Sequence, residues 1–134
     1  MADARQRPIS PHLTDGLRLH WRWGPAMAVS ILHRVTGNGL ALLGLPVLLW
    51  WLYALASGPA AFATFAGSAG AWYGKVLLVG LTWAFFNHLA SGLRHFVLDI
   101  GAGYELAGNA FWSWLTPLVA LSATVLAWAA IVLK

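Results

Sequence analysis

The sequence predicts an all-α integral membrane protein with three transmembrane helices, from its composition and the spacing of its charges. The chain has 134 residues, of which 60% are hydrophobic and only 9% are charged, whereas soluble proteins have about 45–50% and about 25%. A soluble chain of this size has too much surface for so few charges to cover. The charged residues are also clustered, which leaves long apolar intervals between them.

Composition excludes several other classes of protein. The chain has no cysteine, which rules out a secreted disulfide scaffold and any zinc–thiolate or iron–sulfur site ligated by this chain alone. The net charge of +4 would be compatible with nucleic-acid binding. The eight basic residues form no basic stripe, however, and we expect no nucleic-acid partner.

Three intervals without Asp, Glu, Lys or Arg define the predicted spans. The first interval separates Arg34 from Lys75, and the sequence Ser57-Gly58-Pro59 divides it into one span and a connection. A helix needs about 20 apolar residues to cross a bilayer, and three segments cannot close a barrel. The predicted spans are therefore helices at roughly 29–55, 72–96 and 110–133.

The domain organisation follows from these spans. Residues 1–24 form a polar N-terminal arm that we expect in the cytoplasm or at the membrane interface, and residues 25–134 form a three-helix transmembrane domain. Pro25 suits the first turn of a helix, and Pro46 and Pro117 predict kinks. With the N-terminus inside, six of the eight basic residues are also inside, which favours that orientation.

Polar residues within the spans are costly and therefore candidates for function. They collect near the inner end of the first span and of the second span. Because these two helices run in opposite directions, the two clusters are predicted to meet in the inner half of the membrane. The clusters are Ser30, His33, Arg34, Thr36 and Asn38 in the first span, and Asn87, His88, Ser91, Arg94 and His95 in the second.

His88 is the deepest ionisable residue of this set. It shares a helix face with Ser91, Gly92 and His95 by their spacing, and the glycine leaves room for a large flat group. A buried neutral imidazole is a good axial ligand for haem iron. A histidine that bonds to a neighbouring helix is an equally good interpretation.

A second haem ligand is not evident in the chain. His95 lies on the same helix face as His88 and cannot approach from the opposite side of a haem. His33 is predicted to lie too close to the membrane boundary. We therefore expect a second histidine, if there is one, to come from another chain.

Ser30 and Arg34 are one helical turn apart, and both donate hydrogen bonds. One interpretation is that they bind a carbonyl oxygen such as that of a quinone. The alternative is that Arg34 is a positive-inside residue that extends to water, and that Ser30 bonds to its own helix. Haem propionates at the membrane edge are further possible partners of four residues: His33, Arg34, Arg94 and His95.

Three motifs resemble one known family. Residues 7–13 (RPISPHL) resemble the "RPxSPHL" opening of the cytochrome b membrane-anchor subunit of succinate dehydrogenase, respiratory complex II. Residues 30–37 (SILHRVTG) and 88–99 (HLASGLRHFVLD) resemble its "SIxHRxTG" and "HxxxGxRHxxxD" motifs. The motifs occur in the family's order, and the resemblance covers nearly the whole chain.

The resemblance implies half of a heterodimeric anchor helical bundle, paired with a small membrane-anchor subunit. It implies that the chain helps to hold an iron–sulfur subunit and a flavoprotein subunit at the inner face of the cell inner membrane, or of the mitochondrial inner membrane with the N-terminus in the matrix. Electrons from succinate would pass through these subunits to ubiquinone, and the chain would not be catalytic alone. No catalytic residue is implied.

The resemblance also assigns roles to individual residues. Ser30 and Arg34 resemble quinone-binding residues, and His88 resembles the axial ligand of a single haem b whose other ligand comes from the small anchor. His33, Arg34, Arg94 and His95 resemble residues near the haem propionates and the quinone.

Three alternatives stay open, one of which is a purely structural anchor that has lost haem. An anchor of a quinol–fumarate reductase would run the reaction in reverse, and the direction and the quinone species are not encoded in this chain. A small membrane transporter subunit is disfavoured, because transporters place ionisable residues near the midplane and here only His88 is deep.

Overall fold

The computed structural model describes residues 24–133, together with the backbone of two short strands in the N-terminal arm. These strands, β1 (Thr14–Asp15) and β2 (Arg18–Leu19), pair in antiparallel fashion with Thr14 opposite Leu19. The predicted cytoplasmic or interfacial position of the arm falls mostly outside the described residues. From residue 24 onward the described chain is almost entirely helical.

The first apolar helix runs from Pro25 to Ser57 and has an irregular middle. It consists of α1 (Pro25–Gly39), a π-helical turn (Leu40–Gly44) and α2 (Leu45–Ser57). The backbone N–H of Leu45 bonds to the carbonyl oxygen of Leu40, five residues earlier. This widened turn lies directly before Pro46, which has no N–H to continue the ordinary ladder, so the irregularity has a local cause.

The connection after the first span is itself a helix, α3 (Pro59–Gly70), which the sequence analysis did not predict. Gly58 has a φ of 101°, a conformation that suits glycine and interrupts the helix. Pro59 then opens α3 at its first position. Its 12 residues are fewer than the roughly 20 that a membrane span needs.

Two further long helices complete the fold. They are α4 (Trp72–Asp99) and α5 (Leu106–Val132), joined by a short loop in which Gly101 and Gly103 have positive φ angles. Together with Pro25–Ser57 they are the three helices long and apolar enough to cross a membrane. The predicted all-α fold with three membrane helices is confirmed. Helix α5 continues through Pro117.

Helix α4 packs against both α1 and α5, and α1 also contacts α5. The buried residues are small, and most large apolar side chains are exposed, as expected where lipid rather than water surrounds the protein. Small residues allow close approach of the helix backbones. The buried residues that contribute polar groups are Thr36, Asn87, Ser91, Ser113, Thr116 and Thr124.

Most of these buried hydroxyls bond to their own helix. Thr116 Oγ1 donates to the carbonyl oxygen of Trp112 at 2.8 Å, and Thr124 Oγ1 donates to that of Ala120 at 2.8 Å. Such bonds satisfy a hydroxyl where no water is available. Asn87 and Ser91 of α4 are also buried, but their side chains make no such bond within their own helix.

Candidate functional site: a histidine cluster between two membrane helices

Three histidines from two helices lie together at the α1–α4 interface. The rings of His33 and His88 are stacked, with centroids 4.2 Å apart and planes 22° from parallel. The ring of His95 lies on the other side, 4.8 Å from that of His33 and tilted by 42°. The predicted meeting of the two polar clusters is therefore present in the structure for these three side chains.

The imidazole of His88 is oriented by a backbone group of α1. Its Nδ1 atom lies 3.1 Å from the carbonyl oxygen of His33. A carbonyl oxygen only accepts hydrogen bonds, so Nδ1 is the donor, and in the neutral ring Nε2 keeps its lone pair. Metal-binding histidines in proteins commonly have this arrangement, in which the second ring nitrogen donates to a carbonyl.

Gly37 is what allows the ring of His88 to lie so close to α1. A Cβ atom at Gly37 would be 2.7 Å from Cε1 of His88 and 3.1 Å from Nδ1. Both distances are shorter than ordinary van der Waals contact, so a side chain at this position would displace the ring. In the sequence, Gly37 is only the last residue of the motif at 30–37, and the motif does not indicate its contact with His88.

Gly92, the glycine on α4 beside which the sequence predicts room for a large flat group, lies next to the ring of His33. The nearest side-chain atom to a Cβ at Gly92 is Nε2 of His33, at 4.0 Å. The ring of His33 thus lies over Gly92, between His88 and His95.

His33 is deeper than the sequence analysis placed it. Its ring stacks directly on that of His88, so the two side chains are at the same depth. The expectation that His33 is too shallow to reach His88 is wrong, because α1 and α4 pack closely enough to bring the rings together. Stacked rings still cannot bind one iron from opposite sides, since their nitrogens lie beside each other rather than facing each other.

A second contact between α1 and α4 was not anticipated. The side-chain amide of Asn87 donates to Thr36 Oγ1 at 3.4 Å, and this oxygen lies 2.7 Å from the carbonyl oxygen of Leu32 and 3.1 Å from that of His33. Asn87 is completely buried and its Oδ1 atom has no partner among the described residues, and the same is true of Ser91 Oγ. The sequence indicated both as polar residues within a span, but not their partners.

Ser30 and Arg34 lie on α1, one turn apart. Ser30 is half-buried and Arg34 is exposed. No hydrogen bond joins either side chain to another described residue. Their donors are therefore available to a molecule outside this chain.

Arg94 lies apart from the histidine cluster. Its Nη2 atom donates to Oδ1 of Asn109 on α5, and its Nε atom is buried without a partner among the described residues. In this conformation Arg94 connects α4 to α5 and does not face the rings of His33 and His88. Asp99 ends α4 and is exposed.

No group of three or more His, Cys, Asp or Glu side chains within the described residues could hold a metal ion by itself. The histidine cluster offers free ring nitrogens but no closed set of ligands.

Comparison with known proteins identifies the family. The succinate dehydrogenase/fumarate reductase transmembrane subunit family matches residues 3–131. The chain belongs to this family. It is 39% identical over 108 residues to a succinate dehydrogenase cytochrome b556 subunit of Paracoccus denitrificans, an alignment that covers 79% of this chain and 78% of the relative.

Other members extend the match. The chain is 32% identical over 123 residues to the succinate dehydrogenase cytochrome b556 subunit of Rickettsia felis, over 92% of this chain and 91% of the relative. It is 31% identical to the mitochondrial cytochrome b560 subunit of Sus scrofa, over 75% of this chain and 57% of the relative. The chain is thus a transmembrane subunit of the succinate dehydrogenase/fumarate reductase family, a membrane anchor of a complex that is an enzyme.

Proposed function

We propose that this anchor subunit binds haem b through His88 and helps to form the ubiquinone-reduction site of succinate dehydrogenase. The observation that carries the proposal is the orientation of the His88 imidazole. Its Nδ1 atom is held by the carbonyl oxygen of His33 at 3.1 Å, which leaves Nε2 as the free ring nitrogen within a membrane span. The name "cytochrome b556 subunit" of the Paracoccus denitrificans relative agrees with a haem.

The residues around His88 fit a haem ligand. A neutral imidazole with its second nitrogen bonded to a carbonyl is a typical axial ligand, and the haem would supply a one-electron carrier within the membrane. His33 and His95 flank the ligand and are candidates to interact with propionates. Arg94 stays a candidate for the same role, although the structure bonds it to Asn109.

The second axial ligand would come from the small anchor subunit. His33 stacks beside His88 rather than facing it, and His95 lies on the same face of α4. We therefore infer a haem shared between two chains. The iron–sulfur and flavoprotein subunits would bind at the same side of the membrane as the polar ends of α1 and α4. The distribution of basic residues favours the cytoplasm or the mitochondrial matrix for this side.

The quinone would be bound at the beginning of α1. Ser30 and Arg34 have donors that no described residue uses, and they are one helical turn apart. Two donors fixed on a rigid helix before the reaction stabilise the negative charge that develops on a quinone oxygen as it is reduced. Arg34 contributes a full positive charge and a planar set of N–H groups, while Ser30 contributes one O–H.

A second candidate function has the same architecture. The family description includes fumarate reductase, whose anchor would serve quinol oxidation and fumarate reduction. The direction of electron flow would be set by the quinone and by the potentials of the centres. The transporter alternative has no support from the family match.

Replacing Arg34 with Ala in the assembled complex tests the quinone site. We expect quinone reduction to fall by about 10²–10³-fold, the usual effect of removing a donor to a developing oxyanion, while succinate oxidation by an artificial acceptor is retained. The matched control is Lys75→Ala, which removes an exposed basic residue at the other end of the membrane. Equal loss of both activities would assign Arg34 to assembly instead.

Replacing His88 with Ala tests the haem ligand. The visible spectrum of the reduced complex should lose its b-type α-band, or the band should shift and weaken. An unchanged spectrum would rule out His88 as the ligand.

A further inference from the structure

Two consecutive residues of α4 hold the same turn of α1. Asn87 donates to Thr36 Oγ1 at 3.4 Å, and His88 Nδ1 donates to the carbonyl oxygen of His33 at 3.1 Å. Thr36 Oγ1 is itself 3.1 Å from that carbonyl oxygen. The amide and the imidazole therefore contact neighbouring groups in the same turn of α1.

This pair of contacts restrains the rotation of α4 against α1. Consecutive residues project about 100° apart around a helix, so the two side chains contact α1 from different directions. The packing of α4 against α1 and α5 already limits its rotation, and the two hydrogen bonds add a restraint at the level of the His88 ring. We therefore expect the distance between His88 Nδ1 and its carbonyl partner to depend on the contact made by Asn87.

The burial of Asn87 makes its contact with Thr36 important. Its exposed fraction is 0% and that of Thr36 is 3%, and an amide that is buried away from water without a partner is costly. Thr36 uses its own proton within α1, because its oxygen is 2.7 Å from the carbonyl oxygen of Leu32. Its lone pairs therefore remain available to accept from the amide of Asn87.

We propose that Asn87 and Thr36 are positioning residues that keep His88 Nδ1 bonded to the carbonyl oxygen of His33 and thereby keep Nε2 available to the haem iron, a role that rests on the proposed function of His88. A hydrogen bond from the second ring nitrogen raises the basicity of the ligand, which favours ferric iron. Loosening this bond raises the reduction potential of the haem. Loss of such outer partners commonly costs 10–100-fold in metal affinity.

The experiment uses the assembled complex and two variants that remove the α4–α1 contact. Thr36→Val removes the hydroxyl and keeps the shape, and Asn87→Leu removes the amide. Thr36→Ser keeps the hydroxyl and should restore the parent behaviour. Thr124→Val is the matched control, because Thr124 is also buried but bonds only to its own helix.

Two readouts are needed, one of the haem and one of the His88 ring itself. The first is the reduction potential of the haem, for which a tenfold change in the preference between ferric and ferrous iron corresponds to 59 mV. The second is the ¹⁵N NMR signal of the His88 ring in the reduced complex, assigned by its disappearance in His88→Gln. The chemical shift of its Nδ1 atom reports the strength of the hydrogen bond that this nitrogen donates.

We expect Thr36→Val and Asn87→Leu to raise the potential and to move the Nδ1 signal of His88 towards that of a weaker hydrogen bond, while Thr36→Ser and Thr124→Val match the parent. If the complex with Asn87→Leu does not assemble, the complex with Thr36→Val alone tests the proposal. The proposal is overturned if Thr36→Val and Thr124→Val agree in both readouts. If His88 proves not to bind haem, the proposed function fails, and the NMR signal alone still decides whether Thr36 positions the ring.

Discussion

Gly37→Ala is the smallest change that would press directly on the His88 ring. The added methyl group would lie 2.7 Å from Cε1 of His88 and 3.1 Å from Nδ1. The ring cannot easily move away, because its Nδ1 atom is bonded to the carbonyl oxygen of His33 and its face is stacked on the ring of His33. Either the hydrogen bond lengthens or α1 and α4 move apart.

The size of the effect can be estimated from the contact. Ordinary van der Waals contact begins near 3.4 Å, so the methyl group is about 0.7 Å too close to Cε1 of His88. Overpacking of this kind costs about 1–3 kcal/mol. Replacing a helical glycine with alanine gains about 1 kcal/mol by itself, so the net loss of stability at Gly37 should be about 0–2 kcal/mol. The position of the His88 ring should therefore respond to the substitution more clearly than the stability of the complex does.

Gly39→Ala is the matched control, since a Cβ at Gly39 would meet nothing within 4 Å. The assay compares the thermal stability of the two assembled complexes and the intensity of the reduced haem band. We expect Gly37→Ala to lose stability and haem absorbance relative to Gly39→Ala. Equal stability and equal absorbance in the two variants would refute the close contact between Gly37 and His88.

Two further predictions concern the packing of the bundle. Gly74→Ala should impair assembly, because its Cβ would be 2.0 Å from the carbonyl oxygen of Ser68, whereas Gly80→Ala, with nothing within 4 Å, should have little effect when both are compared by yield and thermal stability. Asn109→Leu should destabilise the complex by about 1.5–3 kcal/mol, the usual range for a hydrogen bond to a charged group, because it removes the acceptor of Arg94. Its quinone reductase activity per assembled complex should be unchanged, and a selective loss of that activity would mean that the bond to Arg94 serves the quinone site.

The number and type of the membrane helices could be predicted because lipid restricts the chain strongly. A long segment without charged residues can cross a bilayer only as a helix. The three helices could therefore be predicted from the sequence. Helix α3 could not be predicted in this way, because the requirement applies only to segments that cross the bilayer. Its 12 residues are too few to span, and the composition of an interval does not distinguish a short helix from a loop.

The site could be predicted only in part. The spacing of His88 and His95 predicts that both lie on one face of α4. Because α1 and α4 run in opposite directions, the polar ends of these two helices were predicted to lie together. The bond from His88 to the carbonyl oxygen of His33 could not be predicted, since it depends on how far α4 is rotated against α1. That rotation is set by Gly37 and by the contact of Asn87 with Thr36, neither of which has a distinctive sequence pattern.

Helix α1 presents different polar residues in different directions, and this explains why the chain acts with partners. Thr36 is buried and bonded against α4, whereas Arg34 is exposed and has no partner among the described residues. Two residues apart on a helix means about 200° of rotation, so these side chains lie on nearly opposite sides of α1. Ser30, Arg34 and Asn38 follow one another at intervals of four and form a polar ridge on the outward side. Polar groups at a membrane span are costly when they face lipid. We therefore expect this ridge to be covered by quinone and by another subunit, and the inner side of α1 to be complete within this chain.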